Sequence, residues 1–141
     1  NNIGNHFSIC VVLPLLETDI MDIIEAVWEE KLNTLDIKWS DKSCACVVMA
    51  SGGYPEKYET GKVISGLDEN GQCEGAFVYH AGTKLEDGKF LTAGGRVLGI
   101  TAYGDTLKEA LDTAYKAVDT ISFEKAHYRH DIGKKALSAL K

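Results

Sequence analysis

The fold is decided by the stretch Gly94-Gly-Arg-Val-Leu-Gly-Ile-Thr-Ala-Tyr-Gly-Asp-Thr-Leu-Lys-Glu109, which joins a predicted strand to a predicted helix. The apolar residues between Arg96 and Tyr103 predict the strand. Thr106 and Glu109 have the spacing of a capping box, in which the threonine bonds forward to the helix backbone and the glutamate reaches back. Apolar residues then recur at helical spacing as far as Val118. A helix with one apolar face beside a strand predicts an α+β domain in which the helix covers a sheet.

Several shorter strands are predicted before this stretch, and they favour an antiparallel sheet. The sequence Glu86-Asp-Gly-Lys89 is typical of a hairpin turn, because Asp-Gly favours the backbone of tight two-residue loops. The apolar run Ala45 to Ala50 predicts a buried strand. Ser51-Gly-Gly-Tyr-Pro55 must end that strand, since proline lacks the amide donor of a sheet. Further strands are predicted at Lys62 to Ser65, Ala76 to His80 and Phe90 to Ala93.

Helices are predicted near both ends of the chain. Thr18 or Asp19 caps a leading helix. Residues 132 to 140 predict a short C-terminal helix. We therefore divide the chain into an irregular segment at residues 1–10, a helical connector at 11–42 and the main domain at 43–141. The leading helix has one apolar face that needs a partner surface, formed by Ile20, Ile23, Ile24, Val27 and Trp28.

Length and charge fit one globular domain and argue against two classes of partner. The chain has 141 residues and a formal net charge of -6, which disfavours a surface for duplex nucleic acid. The longest apolar run, Ile9 to Leu16, contains Pro14 and is too short to cross a bilayer. No basic segment or clear cleavage site marks this run as a signal peptide. The sequence thus predicts neither a nucleic-acid partner nor a membrane partner.

The cysteines indicate free thiols. The four residues, at positions 10, 44, 46 and 73, lack the spacing of zinc ligands and do not suggest a disulfide scaffold. Cys44 and Cys46 share one face of a predicted strand and are expected to be buried. Free thiols fit a reducing compartment, so we predict a cytoplasmic protein.

Three motifs are candidates for binding or chemistry. Arg96 either clamps a phosphate or carboxylate or is a solvated arginine on an edge strand, and the preceding glycine pair favours the clamp. The loop Ser51 to Pro55 either offers backbone amides to an anion or only ends a strand, with Tyr54 packed on the core. His80 has no nucleophile at triad spacing and is interpreted as a strand-end histidine bonded to the backbone.

The C-terminal segment carries a further group of polar residues. Arg129 and Asp131 are close in sequence and are expected to pair and fix a turn at Gly133. His127 and His130 lack the i, i+4 spacing of a helical metal pair. We therefore predict no catalytic residue and no metal ligand in this chain.

The order of these motifs resembles the C-terminal part of the phosphoribosylamine–glycine ligases, a family of ATP-grasp enzymes of purine biosynthesis. The resemblance runs from Val11 to the end of the chain. It implies a small antiparallel β-rich hybrid-motif domain, similar to the C-terminal domain of biotin carboxylases, with a leading, a covering and a short C-terminal helix. The matching residues are Val11-Val-Leu-Pro-Leu-Leu16, Ala50-Ser-Gly-Gly-Tyr-Pro55, Gly66-Leu67, His80-Ala-Gly-Thr83, Gly94-Gly-Arg-Val-Leu98, the helix Leu107 to Tyr115 and Tyr128-Arg-His-Asp-Ile-Gly133.

The resemblance also implies an activity and a site. Members of this family join phosphoribosylamine to glycine while cleaving ATP, through an acyl phosphate of glycine, and magnesium or manganese is expected in the full-length enzyme. On this likeness Arg96 faces the substrates, and Gly53, Tyr54 and Pro55 line the neighbouring wall. The family carries acidic metal ligands just before the position of Val11, whereas residues 1–10 here contain no acidic residue. The ATP-grasp lobes are expected to be missing from this chain.

Two functions follow as hypotheses. In the first, the chain is the C-terminal fragment of such a ligase, inactive by itself and without a cofactor of its own. In the second, it is a non-catalytic docking or remnant module of an ATP-grasp protein, which uses the apolar face of its leading helix to bind separate lobes. A domain of another ATP-grasp enzyme, such as a carboxylase, is disfavoured by the motifs at Ser51 to Pro55 and Tyr128 to Gly133.

Overall fold

Helices flank two antiparallel sheets in the computed structural model, which describes residues 9–139. The arrangement is α+β, as the sequence predicts. The helices are α1 (Ile9–Val12), α2 (Ile20–Trp28), α3 (Leu107–Thr120) and α4 (Lys134–Ala139), with short 3₁₀ turns at Leu13–Leu15 and Leu32–Thr34. The strands are β1 (Ser43–Ala50), β2 (Phe77–His80), β3 (Thr83–Glu86), β4 (Lys89–Thr92) and β5 (Arg96–Gly104).

The larger sheet has β5 at its centre, between β1 and β2, and both pairings are antiparallel. Strands β3 and β4 form a separate hairpin. Its turn is the predicted one, because Asp87 and Gly88 both adopt positive φ, at 50° and 73°. These angles suit the tight turns that Asp-Gly favours.

The strand predicted at Lys62 to Ser65 is wrong. This segment forms isolated bridges in place of a ladder, from Val63 to Leu91 and from Ser65 to Ser122. The reason is that its amides bond in two directions: Ile64 N donates to Phe90 O and Ser65 N donates to Ser122 O, both at 2.8 Å. The segment therefore bridges the hairpin to the chain after α3.

The core lies between α3 and one face of the larger sheet. Thr106 starts α3 as predicted, since its hydroxyl accepts a hydrogen bond from Glu109 N at 3.2 Å. The Glu109 carboxylate accepts from Asp105 N at 3.0 Å. The return bond of the capping box therefore comes from the residue before the cap and not from the amide of Thr106 itself. The buried residues at the centre of the core are Val47, Met49, Leu98, Ile100, Ala102, Ala114 and Val118.

The opposite face of the sheet is partly covered by α1 and the turn after it. The Thr101 hydroxyl donates to Cys10 O at 3.0 Å, and the Tyr103 hydroxyl donates to Pro14 O at 2.9 Å. These bonds hold the segment on the sheet, and Ile9 and Cys10 begin a helix where an irregular chain was expected. Residues 1–8 of that predicted irregular segment lie outside the described residues.

The thiols on this face differ in burial. Cys44 is buried as predicted, but Cys46 is half-buried. All four cysteines are free.

The connector that contains α2 lies outside the core. Asp19, and not Thr18, caps α2, with its carboxylate accepting from Met21 N at 2.8 Å. The Thr18 hydroxyl instead accepts from Lys38 N at 2.7 Å and closes the connector on itself. No residue of α2 is buried, and Trp28 is 88% exposed. Among the described residues, none of the helices has the length and apolar character needed to cross a membrane.

Candidate functional site

Arg96 lies at a β-bulge at the start of β5. Met49 faces Leu98 across the sheet, but the next residue of β1, Ala50, faces Arg96, so Val97 is an extra residue in β5. Bulges of this kind bend a strand and redirect its side chains. The bulge is braced from the other side, because the amides of Ala81 and Gly82 both donate to Val97 O, at 3.0 and 3.1 Å.

The loop Ser51 to Pro55 is bonded to the glycine turn before Arg96. The Ser51 hydroxyl donates to Gly94 O at 2.8 Å, and Ser51 N donates to Gly95 O, also at 2.8 Å. The ring of Tyr54 lies against Gly95, where an added Cβ would stand 2.1 Å from Tyr54 Cδ2. Gly95 is therefore required by the close approach of the tyrosine ring.

These segments line an open cavity of about 580 Å³ beside the bulge. Arg96 and Tyr54 line it, so the structure brings these two predicted residues together. An arginine and two tyrosines lining one cavity suit an anion such as a phosphate or carboxylate, because the guanidinium is charged and both its planar fork and the phenol hydroxyls can donate hydrogen bonds. The other lining residues are Cys10, Tyr79, His80, Ala81, Gly94 and Gly95.

Gly53 and Pro55 do not line this cavity and instead shape the loop that carries Tyr54. Gly53 has a φ of +94°, and a Cβ there would lie 2.0 Å from Lys57 O. Pro55 follows a cis peptide bond. Gly53 thus acts on Tyr54 through the backbone, and the position of both residues differs from the direct lining expected of them.

Tyr79 is a cavity residue that the sequence analysis missed. It lies opposite Gly99 in the sheet, which carries no side chain, so the ring has room on the cavity side of β2. Burial, followed by the neighbouring Tyr103, raises the pKa of the Tyr79 phenol. The hydroxyl therefore stays protonated at neutral pH and can donate to an anion. Its place directly before His80 was the signal available in the sequence.

His80 has a structural role, as interpreted from the sequence. Its Nε2 lies 2.8 Å from Gly71 O, and its Nδ1 lies 2.8 Å from the Thr83 hydroxyl. Because a carbonyl can only accept, Nε2 carries a hydrogen, and in the neutral ring Nδ1 then accepts from the Thr83 hydroxyl. With both ring nitrogens bonded to protein groups, the imidazole ties the Gly71 turn to the start of β3.

The remaining polar motif is also structural. Arg129 and Asp131 pair as predicted, with Nε to Oδ1 at 2.8 Å and Nη2 to Oδ2 at 2.9 Å. The arginine lowers the pKa of the Asp131 carboxyl. Between residues 9 and 139, no three histidine, cysteine, aspartate or glutamate side chains are grouped closely enough to hold a metal ion.

Comparison with known proteins places these features in a family. The family described as "Phosphoribosylglycinamide synthetase, C domain" matches residues 44–135. A phosphoribosylamine–glycine ligase of Caldanaerobacter subterraneus subsp. tengcongensis is 53% identical over 121 residues, which cover 86% of this chain and 28% of that protein. A bifunctional purine biosynthetic protein of Dictyostelium discoideum is 47% identical over 131 residues, covering 92% of this chain and 16% of its own length.

A solved structure agrees with the sequence comparison. The crystal structure of a phosphoribosylamine–glycine ligase from Thermotoga maritima matches with a TM-score of 0.66 and 31% identity, covering 86% of this chain and 29% of that one. The chain thus spans less than a third of the length of each of these relatives.

Proposed function

The chain belongs to the family of phosphoribosylglycinamide synthetase C domains and corresponds to the C-terminal part of phosphoribosylamine–glycine ligases, and we propose that it completes the substrate site of such a ligase. The whole enzyme would act in the cytoplasm on glycine, phosphoribosylamine and ATP. Glycine would be activated as an acyl phosphate, and the amine of phosphoribosylamine would then displace phosphate to give glycinamide ribonucleotide.

The residues of this chain do not fit every part of that reaction. ATP and its magnesium or manganese would be held by the ATP-grasp lobes, since the described residues contain no candidate metal cluster. Divalent cations of this kind require carboxylate oxygens close together. We therefore assign no catalytic step to this chain and expect it to be inactive alone.

The role we propose for the chain is recognition of an anionic group by Arg96. The observation that carries this role is the placement of the arginine on a braced bulge that opens into the cavity. A phosphate of the ribose substrate or a glycine carboxylate would accept paired hydrogen bonds from the guanidinium. Tyr54 and Tyr79 would form the walls beside it, with Gly53 and Pro55 in the same loop as Tyr54.

The test is an amide NMR titration of the chain with glycinamide ribonucleotide. Saturable shifts are expected at residues 51–55 and 94–96, and Arg96→Ala should weaken binding at least tenfold because a charged hydrogen-bond donor is lost. Arg129→Ala is the matched control, since Arg129 is the second arginine of the sequence and pairs with Asp131.

Two outcomes would contradict the proposal. Unchanged affinity in Arg96→Ala would remove Arg96 from the site. Formation of glycinamide ribonucleotide by the isolated chain from ATP, glycine and phosphoribosylamine would contradict its expected inactivity alone.

A second candidate function is that the chain docks onto a partner and contributes no residue to the substrate site. It is favoured by the exposed apolar residues of α2, among them Ile24 at 53%, Val27 at 57% and Trp28 at 88%. The occupant we propose for this surface is the remainder of the ligase, because the chain covers 28% of its Caldanaerobacter relative. A chain that docks but does not bind glycinamide ribonucleotide would separate this function from the first.

A further inference from the structure

We propose that Ser51 is a positioning residue that sets the direction of the Arg96 side chain by holding the glycine turn before it. The inference rests on the proposed function of Arg96 and extends it to a residue that has no place in the cavity lining. Ser51 is 3% exposed and directly follows β1. It acts on Arg96 through two backbone carbonyls.

The first step is that the bulge is held from both sides. On one side the amides of Ala81 and Gly82 converge on Val97 O. On the other side Ser51 bonds to Gly94 O through its hydroxyl and to Gly95 O through its amide, each at 2.8 Å. Residues 94, 95 and 97 are thus fixed, and Arg96 lies between them.

The second step concerns the Ser51 hydroxyl, which is the side-chain donor among the hydrogen bonds just described. The other bonds just described come from backbone amides, which a substitution leaves in place. Without the hydroxyl, Gly94 O loses its donor and the turn regains freedom about its glycines. The guanidinium of Arg96 would then take up more directions. Small displacements of a positioning group have large effects at a binding site.

The third step is the contrast with neighbouring buried hydroxyls. Thr92 is 1% exposed, and its hydroxyl accepts from Lys62 N, which ties the hairpin to the segment beside it. Thr101 is 0% exposed, and its hydroxyl donates to Cys10 O. Ser51 differs from both threonines because the carbonyl that accepts its hydrogen bond, Gly94 O, belongs to the residue two positions before Arg96.

The experiment observes the arginine side chains by ¹⁵N NMR. The sequence contains two arginines, so the Nε–H spectrum has one signal to test, from Arg96, and one internal reference, from Arg129. In Ser51→Ala we expect a shift of the Arg96 Nε signal and a fall in its order parameter, with Arg129 unchanged. Thr106→Ala is the control for stability, since it removes a cap of α3 and should leave both signals in place.

Binding gives the second readout. Ser51→Ala should weaken glycinamide ribonucleotide binding about three- to tenfold, the effect of one hydrogen bond. In an Arg96→Ala background it should have no further effect, because Ser51 acts through that arginine. Ser51→Cys, which is close in size and a weak donor, should give a smaller change of the same kind and serves if Ser51→Ala does not fold.

The outcomes separate this inference from the proposed function. An Arg96 Nε signal that is unchanged in both Ser51 variants overturns the positioning role, whatever the ligand does. An Arg96 signal that responds to Ser51, in a chain that binds no glycinamide ribonucleotide, supports positioning and counts against the proposed function. A loss of affinity of equal size in the Arg96→Ala background would show that Ser51 acts on the ligand by another route and would also overturn the inference.

Discussion

At the residue scale, close backbone approach explains why the motifs around the cavity are rich in glycine. Gly82 packs on the glycine turn, and a Cβ there would lie 2.5 Å from Arg96 O and 2.9 Å from Gly94 Cα. Gly95 leaves room for the Tyr54 ring. The glycines thus permit three chain segments to meet beside Arg96.

We predict that Gly82→Ala destabilises the chain by about 1–3 kcal/mol, because the new methyl group meets backbone atoms that cannot rotate away. Gly94→Ala should have a smaller effect, since its Cβ would be 3.2 Å from Gly82 Cα. Thermal unfolding of the two variants measures the difference. A wild-type melting temperature in Gly82→Ala would show that the turn tolerates displacement.

A second prediction concerns the Cys46 thiol and alkaline pH. Burial raises the pKa of Cys46 from 9.0 to about 11, so the folded state resists ionisation of this thiol. The unfolded chain ionises first, and the stability that the neutral thiol provides is complete below pH 9 and lost as the pH rises toward 11. The free energy of unfolding should fall by about 1.4 kcal/mol per pH unit in this window.

The measurement is urea unfolding at pH 8, 9 and 10 for the wild type and Cys46→Ala. Other groups titrate in the same range, so the difference between the two proteins is the quantity to follow. It should shrink as the pH rises. A constant difference across the three pH values would contradict the shifted pKa.

At the element scale, α3 holds the sheet and α2 does not. The residues of α3 that face β1 and β5 are buried, including Ala110, Ala114 and Val118. Helix α2 has an apolar face as marked as that of α3, yet it buries none of its residues. Amphipathic spacing therefore predicted both helices, while the tertiary packing decided which one belongs to the core.

For α3 we predict that Thr106→Ala lowers stability by about 1 kcal/mol, because the amide of Glu109 loses its capping acceptor. Thr113→Ala, inside the same helix, is the control and should be neutral or slightly stabilising, since alanine is the better helix former. Equilibrium unfolding of both variants gives the comparison. Equal stability of Thr106→Ala and the wild type would mean that the cap contributes nothing.

At the scale of the whole molecule, exposed apolar residues occur on α2, the hairpin and the open face of the sheet, and also on α1, the turn after it, the rest of the connector and the loops between β1 and β2. Besides Trp28, the hairpin residue Leu85 is 63% exposed and the β2 residue Phe77 is 52% exposed. Clustered apolar residues of this kind mark interaction surfaces more often than isolated ones do. The cluster on α2 is therefore the one that we expect to associate.

We predict concentration-dependent association in sedimentation velocity, caused by α2. The double variant Ile24→Glu with Trp28→Glu should sediment as a monomer, because charges then interrupt the apolar face. Leu85→Glu, at a single exposed apolar site of the hairpin, is the control and should associate like the wild type. A folded wild-type chain that stays monomeric at every concentration would contradict association through α2.

The sequence by itself determined the local elements and their order. The Thr106 box, the Asp-Gly hairpin and the Arg129–Asp131 pair all depend on neighbours in the chain. The same is true of the short motifs that carry the family resemblance. Such interactions have short range and leave a pattern in the residues concerned. The predicted strand at Lys62 to Ser65 failed because its bonds reach two distant segments.

The tertiary structure alone decided how Arg96 is held and what lies beside it. The bulge at Val97 exists because three separated segments bond to one another, and no spacing within any one of them encodes that meeting. The same holds for Tyr79, whose place in the cavity depends on the glycine opposite it in β5, and for Ser51, whose hydroxyl reaches Gly94 across 43 residues of sequence. Long-range contacts of this kind depend on the packing of the whole sheet, which is why the fold, and not the sequence, placed Tyr79 in the cavity and bonded Ser51 to the turn before Arg96.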